Sequence, residues 1–408
     1  MKRYAVIMGT VVAASLLSTS ALALDRGNTS EKGSLLVFPN VDVSGNRNTI
    51  IRIQNDYSDS VSLKCYWKNG TKFFADFQIE LTKFQPIWIS AKDGRGTYNV
   101  TPFPDFTNQA YLDNIGVGYQ GPEENSINGG RNHRGVRPSQ VLLPDNAKEA
   151  GELQCWAVDS SGASEIRWNH LVGTATVVDA SKGTAYEYSA WGYRCLVGNN
   201  GDSCVTAEAG KLNLDGAEYE ACPKKLIGHF SPAGTSVGNL HVRQNELTIA
   251  SCNQDLSQDQ QFHFTKLKFN VWNEQEVKLT GAYQCIDSWH QLLLSGVQNN
   301  GRNFSASGTN VARFKVKGVK SSVCERPDAP RTPFVDESIV TEDAGIMGVL
   351  ATTYGFGKGI PLGDDDDDSE NGGSGGLAES GSTLHMLGQL PGFIAYDAEE
   401  PIEERPAR

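Results

Sequence analysis

The sequence lacks the patterns that most directly identify a chemistry. No apolar run after the N-terminal segment approaches the roughly 20 residues that a membrane-spanning helix needs. The sequence contains no Cys-x-x-Cys, Cys-x-x-Cys-His or His-Glu-x-x-His pattern. It therefore lacks the usual signatures of zinc ribbons, haem attachment and zinc proteases. The seven histidines show no metal-ligand spacing. We therefore expect no metal site, no cofactor and no enzymatic activity.

Positive charge is also scarce. The 408-residue chain has a formal net charge of −12, and residues 331–408 hold 16 Asp and Glu against 4 Lys and Arg. The acidity belongs to this C-terminal region, whereas the preceding residues are nearly balanced. A basic nucleic-acid footprint is therefore not expected, and nucleic acid is excluded from the predicted partners.

The first 23 residues have the composition of a cleavable secretory signal. Lys2 and Arg3 precede an apolar centre at 5–17, and the segment ends in Ala-Leu-Ala. No cysteine follows the expected cleavage site to take a lipid. We predict a secreted or periplasmic protein that begins at Leu24, and attachment to the cell surface is left open.

The cysteines are eight in number, which suits disulfides in an exported chain better than metal ligation. A bridge between Cys65 and Cys155 can link buried faces of one domain. A local bridge between Cys195 and Cys204 would close a polar, Gly-rich turn. The predicted disulfide cysteines are Cys65, Cys155, Cys195, Cys204, Cys222, Cys252, Cys285 and Cys324.

Period-two alternation predicts β-strands along much of the chain. The best-specified hairpin has strands at 171–178 and 184–193 around an Asp-Ala-Ser-Lys-Gly turn. A second hairpin turns at 273–276, and a last strand is expected at 312–319. Residues 92–150 show no such alternation and predict a long, partly disordered loop.

The fold class predicted from these strands is all-β, with one or two immunoglobulin-like β-sandwich domains stapled by disulfides and a flexible acidic C-terminal tail. Cys65 near Trp67, and Cys155 beside Trp156, are similar to the Cys and Trp core of such sandwiches. Ile339 to Leu350 is a candidate short helix in the tail. The predicted organisation is a signal peptide at 1–23, a β-sandwich domain at 24–204 with its loop at 92–150, a second β domain at 205–327, and the tail at 328–408.

Two phrases carry a family resemblance: Asn-His-Leu-Val-Gly-Thr-Ala-Thr at 169–176 and Leu-Asn-Leu-Asp-Gly at 212–216. With them, residues 34–324 resemble exported, β-rich proteins of Gram-negative bacteria whose activities are uncharacterised. The resemblance implies an exported β-protein and carries over no activity and no site residues.

A Gly-x-Ser-x-Gly match centres on Ser236, with His241 nearby. That nucleophile elbow needs a strand before the Ser and a helix after it, whereas more strand-like sequence follows here. We predict a Gly-rich turn, no base within reach of Ser236, and no nucleophile. The run Asp364 to Asp368 fails the EF-hand pattern and predicts a solvated charge run with weak cation affinity.

Two functional hypotheses remain. The first is an exported structural or adhesive interaction protein whose partner is a protein or an envelope or surface polysaccharide. The second is a carbohydrate-binding or carbohydrate-active β-sandwich protein, in which exposed tryptophans stack on sugar rings. The candidate stacking residues are Trp88, Trp272 and Trp289.

Overall fold

The structure is a computed structural model. The residues that it describes are 31–69, 74–92, 119–120, 150–162, 164–204, 214, 216–237, 240–252, 265–286, 289–294, 298–299, 302–303, 309–319, 345–356, 377–385 and 388–390. The predicted signal segment, Cys324, the Asp364–Asp368 run and nearly all of the predicted loop at 92–150 lie outside these residues.

All regular elements of the described residues are β-strands, and every strand pairing is antiparallel. The strands are β1 (Leu35–Asp42), β2 (Arg47–Asn55), β3 (Val61–Asn69), β4 (Phe74–Leu81), β5 (Pro86–Ser90), β6 (Tyr119–Gln120), β7 (Ala150–Val158), β8 (Leu171–Asp179), β9 (Thr184–Ser189), β10 (Trp191–Tyr193), β11 (Lys225–Phe230), β12 (Ser236–Val237), β13 (Leu240–Ser251), β14 (Thr265–Asn273), β15 (Lys278–Ile286), β16 (Trp289–Leu293), β17 (Gln298–Asn299), β18 (Arg302–Asn303), β19 (Ala312–Val319), β20 (Ile346–Phe356), β21 (Leu377–His385) and β22 (Gly388–Leu390).

These strands form three large sheets and one small hairpin. The first sheet has the order β10-β1-β7-β3-β4-β6, and the second has the order β5-β2-β8-β9. The third has the order β12-β13-β20-β21-β11-β19-β14-β15, with β16 beside β13 and β22 beside β21. The small hairpin is β17-β18.

The strongest sequence patterns are confirmed. The hairpin predicted at 171–178 and 184–193 forms β8 and β9, followed by the short β10. The second predicted hairpin forms β14 and β15, and the strand predicted at 312–319 is β19. Along β9, β14 and β19, buried side chains alternate with half-buried or exposed ones, as period-two patterns require.

The all-β, disulfide-linked class is confirmed, but clear immunoglobulin-like sandwiches are not formed. The described sheets resemble a four-bladed β-propeller more closely. Cys65 and Cys155 face each other on the neighbouring strands β3 and β7 of one sheet, with Cα atoms 4.0 Å apart. The immunoglobulin disulfide joins two sheets. The predicted bridge between Cys65 and Cys155 therefore forms, but within one sheet.

The prediction of a flexible tail with a short helix is wrong where the structure describes this region. Residues 346–356 and 377–385 form β20 and β21 inside the third sheet, and β20 pairs with β13 over most of its length. Gly345 and Gly348 disfavour a helix by about 1 kcal/mol each. Backbone pairing of β20 with β13 and with β21 supplies the hydrogen bonds that stabilise the strands instead.

The hydrophobic cores do not follow the predicted domain boundary near residue 205. One core lies mainly between the first and second sheets and includes Trp67, Ile51 and Tyr188. The other joins Trp156 and Tyr193 of the first sheet to side chains of the third sheet, among them Phe269, Phe314 and Leu350. The first sheet is thus covered on both faces.

Candidate functional site

The disulfides are structural. The two predicted pairs, Cys65–Cys155 and Cys195–Cys204, are both present, and Cys222 pairs with Cys252 at a Cα separation of 6.3 Å. Cys285 is also disulfide-bonded. Among the described residues there is no free cysteine, so none offers a reactive thiol.

The three candidate stacking tryptophans do not form one platform. Trp88 is 39% exposed on β5, whereas Trp289 is 4% exposed and donates a 2.7 Å hydrogen bond to the Pro39 carbonyl oxygen. Trp272 is half-buried on β14, with the Arg313 guanidinium 5.8 Å from its ring centroid. The expected exposure of Trp289 is therefore wrong, because its ring fills the space between β16 and β1.

Ser236 and His241 are closer than the sequence predicted. They face each other in the β12–β13 hairpin, and Ser236 Oγ lies 2.6 Å from His241 Nδ1. The expectation that Ser236 has no base within reach is wrong. The strand-rich context is as predicted, and in the described part of the chain no carboxylate contacts His241 to orient its ring. The absence of a nucleophile at Ser236 stays a prediction.

One buried acidic residue has a strongly shifted pKa. Burial raises the pKa of Glu165 to about 7, against the hydrogen bond from Tyr219 and with help from the charge of Glu218. The Tyr219 hydroxyl donates to Glu165 Oε2 over 2.9 Å. The backbone of Glu165 also contacts the end of the loop between Cys195 and Cys204, because the Cys204 amide donates to the Glu165 carbonyl oxygen.

A second buried cluster surrounds Arg47 at the start of β2. Its Nη1 atom lies 2.6 Å from Asp42 Oδ2, and three further carboxylate oxygens lie within 3.5–3.7 Å of the guanidinium. Burial by itself would lower the pKa of Arg47, but the attraction and hydrogen bond of Asp42 raise it. The four acidic residues come from strands of all three sheets: Asp42, Asp179, Glu246 and Glu379.

A basic surface covers the solvent side of strands β11, β19, β14 and β15. These strands contain no Asp or Glu. Their apolar residues alternate inward, and the intervening positions are half-buried or exposed. We call this surface the basic face, and its charged members are Lys225, Lys266, Lys268, Lys278, Arg313, Lys315 and Lys317.

The cross-strand register of the basic face places like charges opposite each other. Lys317 of β19 is paired with Lys225 on one side and with Lys268 on the other. Lys268 is in turn opposite Tyr283, which is 49% exposed. The register therefore gathers three lysines into one row across adjacent strands of the sheet.

The basic face cannot be recognised from the net charge of the sequence. The nearly balanced charge before residue 331 hides a surface drawn from four separate segments. The alternation of Lys266 and Lys268 was visible in the sequence, but their neighbours Lys315 and Lys317 follow 40 or more residues later. The exclusion of nucleic acid as a partner stays a prediction.

Across the described ranges, no group of three or more His, Cys, Asp or Glu side chains is arranged to hold a metal ion. None of the elements described in the chain is a helix long and apolar enough to cross a membrane. No protein-family model, curated protein or solved structure matches this chain.

Proposed function

We propose that the protein is an exported, non-enzymatic interaction protein that adheres to its partner through the basic face. The single observation that supports this function is the row Lys225, Lys317 and Lys268, which places three positive charges side by side on adjacent strands and suits an anionic partner. The three closed disulfides suit an oxidising compartment, as in the periplasm or outside the cell.

A carbohydrate-binding role stays the second hypothesis, but its proposed ligand surface changes from the three tryptophans to the basic face. Trp289 is buried, so the three candidate tryptophans cannot form one stacking platform. The basic face replaces that platform, because charged glycans are recognised by cations as well as by aromatic rings.

The test is the binding of the labelled full-length protein to isolated bacterial cell envelopes. The variant Lys268→Gln/Lys315→Gln/Lys317→Gln should lose most of the binding. The matched control, Lys83→Gln/Lys92→Gln/Lys182→Gln, removes the same charge from outside the four strands and should bind like the wild type. Equal binding by both variants would contradict the role of the basic face.

A further inference from the structure

We propose that the ligand of the basic face is an acidic polysaccharide, a linear glycan with carboxylate or sulfate groups along its length. This inference rests on the proposed function, because it names the chemistry of the partner that the basic face binds. Three features of that face carry it: its extent, its dominance by lysine and its aromatic contacts.

The extent of the basic face suits a chain rather than a small anion. Neighbouring strands lie about 4.8 Å apart, and alternate residues along a strand lie about 6.7 Å apart. Lys225, Lys317 and Lys268 therefore span about 10 Å across three strands. Arg313, Lys315 and Lys317 extend about 13 Å along β19. A linear polyanion can contact several of these cations at once.

The choice of cation supports the same ligand class. Six of the seven charges are lysine ammonium groups and one is a guanidinium. Lysine acts as a compact point charge on a flexible stem, whereas arginine presents a planar fork for bidentate recognition. A lysine array therefore favours a partner with repeated charges of variable orientation over one bound through a fixed bidentate geometry.

Two aromatic side chains of the basic face contact its own charged side chains. Lys266 Nζ lies 5.0 Å and Lys268 Nζ lies 5.8 Å from the centroid of the Tyr283 ring. Arg313 has the corresponding position over Trp272. Cation–π contacts of this kind position the charged groups. They also occupy one face of each ring, which disfavours the base stacking that single-stranded nucleic acids require.

The experiment measures equilibrium binding of the full-length protein to polygalacturonate at two salt concentrations. The wild type should bind, and its affinity should fall steeply with salt because the contacts are ionic. The variant Lys268→Gln/Lys315→Gln/Lys317→Gln should bind at least about tenfold more weakly. The Lys83→Gln/Lys92→Gln/Lys182→Gln control should retain the wild-type affinity. Fully methyl-esterified polygalacturonate, which has no charge, should not bind.

Two other probes separate the failure of this inference from the failure of the proposed function. Binding to single-stranded DNA or to phosphatidylglycerol vesicles through the same lysines, without binding to polygalacturonate, would overturn the ligand class and leave the interaction surface intact. Unchanged polygalacturonate binding by the basic-face variant would overturn the site itself.

Discussion

Arg47 forms ion pairs with acidic residues from all three large sheets. Its guanidinium has carboxylates from β1, β8, β13 and β21 around it, and the side chains of Asp42 and Glu379 are each only 2% exposed. Buried carboxylates without a counter-charge are strongly unfavourable. The arrangement therefore fixes the position of the C-terminal strands relative to the N-terminal sheets.

Arg47→Gln should lower the free energy of unfolding by about 3–5 kcal/mol, because it leaves several buried carboxylates uncompensated. Urea denaturation measures the change. The control is Arg52→Gln, whose ion pair with Glu187 has both side chains about half exposed. That substitution should cost about 1 kcal/mol or less. Equal losses in the two variants would contradict the role assigned to Arg47.

Glu165 gives the protein a defined pH response. Its folded-state pKa of about 7 exceeds the ordinary value of 4.5. The folded state therefore holds the proton more tightly, and the stability from this group is fully present below pH 4.5 and is lost as the pH rises through 7. The shift corresponds to about 3 kcal/mol.

The variant Glu165→Gln should lack this part of the pH dependence. Unfolding free energies measured from pH 4.5 to 8 should fall less for Glu165→Gln than for the wild type, with the gap developing mainly below pH 7. Glu187→Gln, at an exposed position, should retain the wild-type profile. Parallel profiles for Glu165→Gln and the wild type would refute the assignment.

At the scale of the strand, β21 shows how a polar segment becomes part of a core. Gly381 lies against the ring of Tyr186, where an added Cβ would collide with ring carbons. The Tyr186 hydroxyl accepts a 2.7 Å hydrogen bond from Asn40, and the ring is buried. The ring is thus fixed from both sides, and β21 can approach β9 only because residue 381 has no side chain.

Gly381→Ala should therefore destabilise the fold by about 1–3 kcal/mol, as expected for overpacking. The neighbouring control Ser380→Ala, at an exposed position, should change stability by no more than about 0.5 kcal/mol. Thermal or urea unfolding measures both. A neutral Gly381→Ala variant would mean that β21 is not packed on Tyr186.

The elements that could be predicted from sequence are those whose partners are close along the chain. The β8–β9 and β14–β15 hairpins have tight turns and clean alternation. β20 and β21 could not be predicted this way, because they pair with each other across the 20 residues 357–376, and their other partners β13 and β9 lie about 100 and 200 residues earlier. The composition of the surrounding Gly- and Asp-rich segments concealed them.

At the scale of the whole molecule, charge is segregated in a way that net charge conceals. The chain is acidic overall, yet four adjacent strands of one sheet carry only basic charges. The candidate site could not be predicted because it exists only after β11, β14, β15 and β19 pair. In the sequence these Lys and Arg residues look like ordinary solvent-facing positions, and strand pairing brings them together into one continuous surface.

Binding through the basic face is tested most directly by lysine footprinting with an acetylating reagent, in the presence and absence of bacterial cell envelopes, read by mass spectrometry. We expect the envelopes to protect Lys225, Lys268, Lys315 and Lys317 from acetylation. Lys83 and Lys182, on other surfaces, should react equally in both samples. Protection of Lys83 and Lys182 with full reactivity of the basic-face lysines would contradict binding through the basic face.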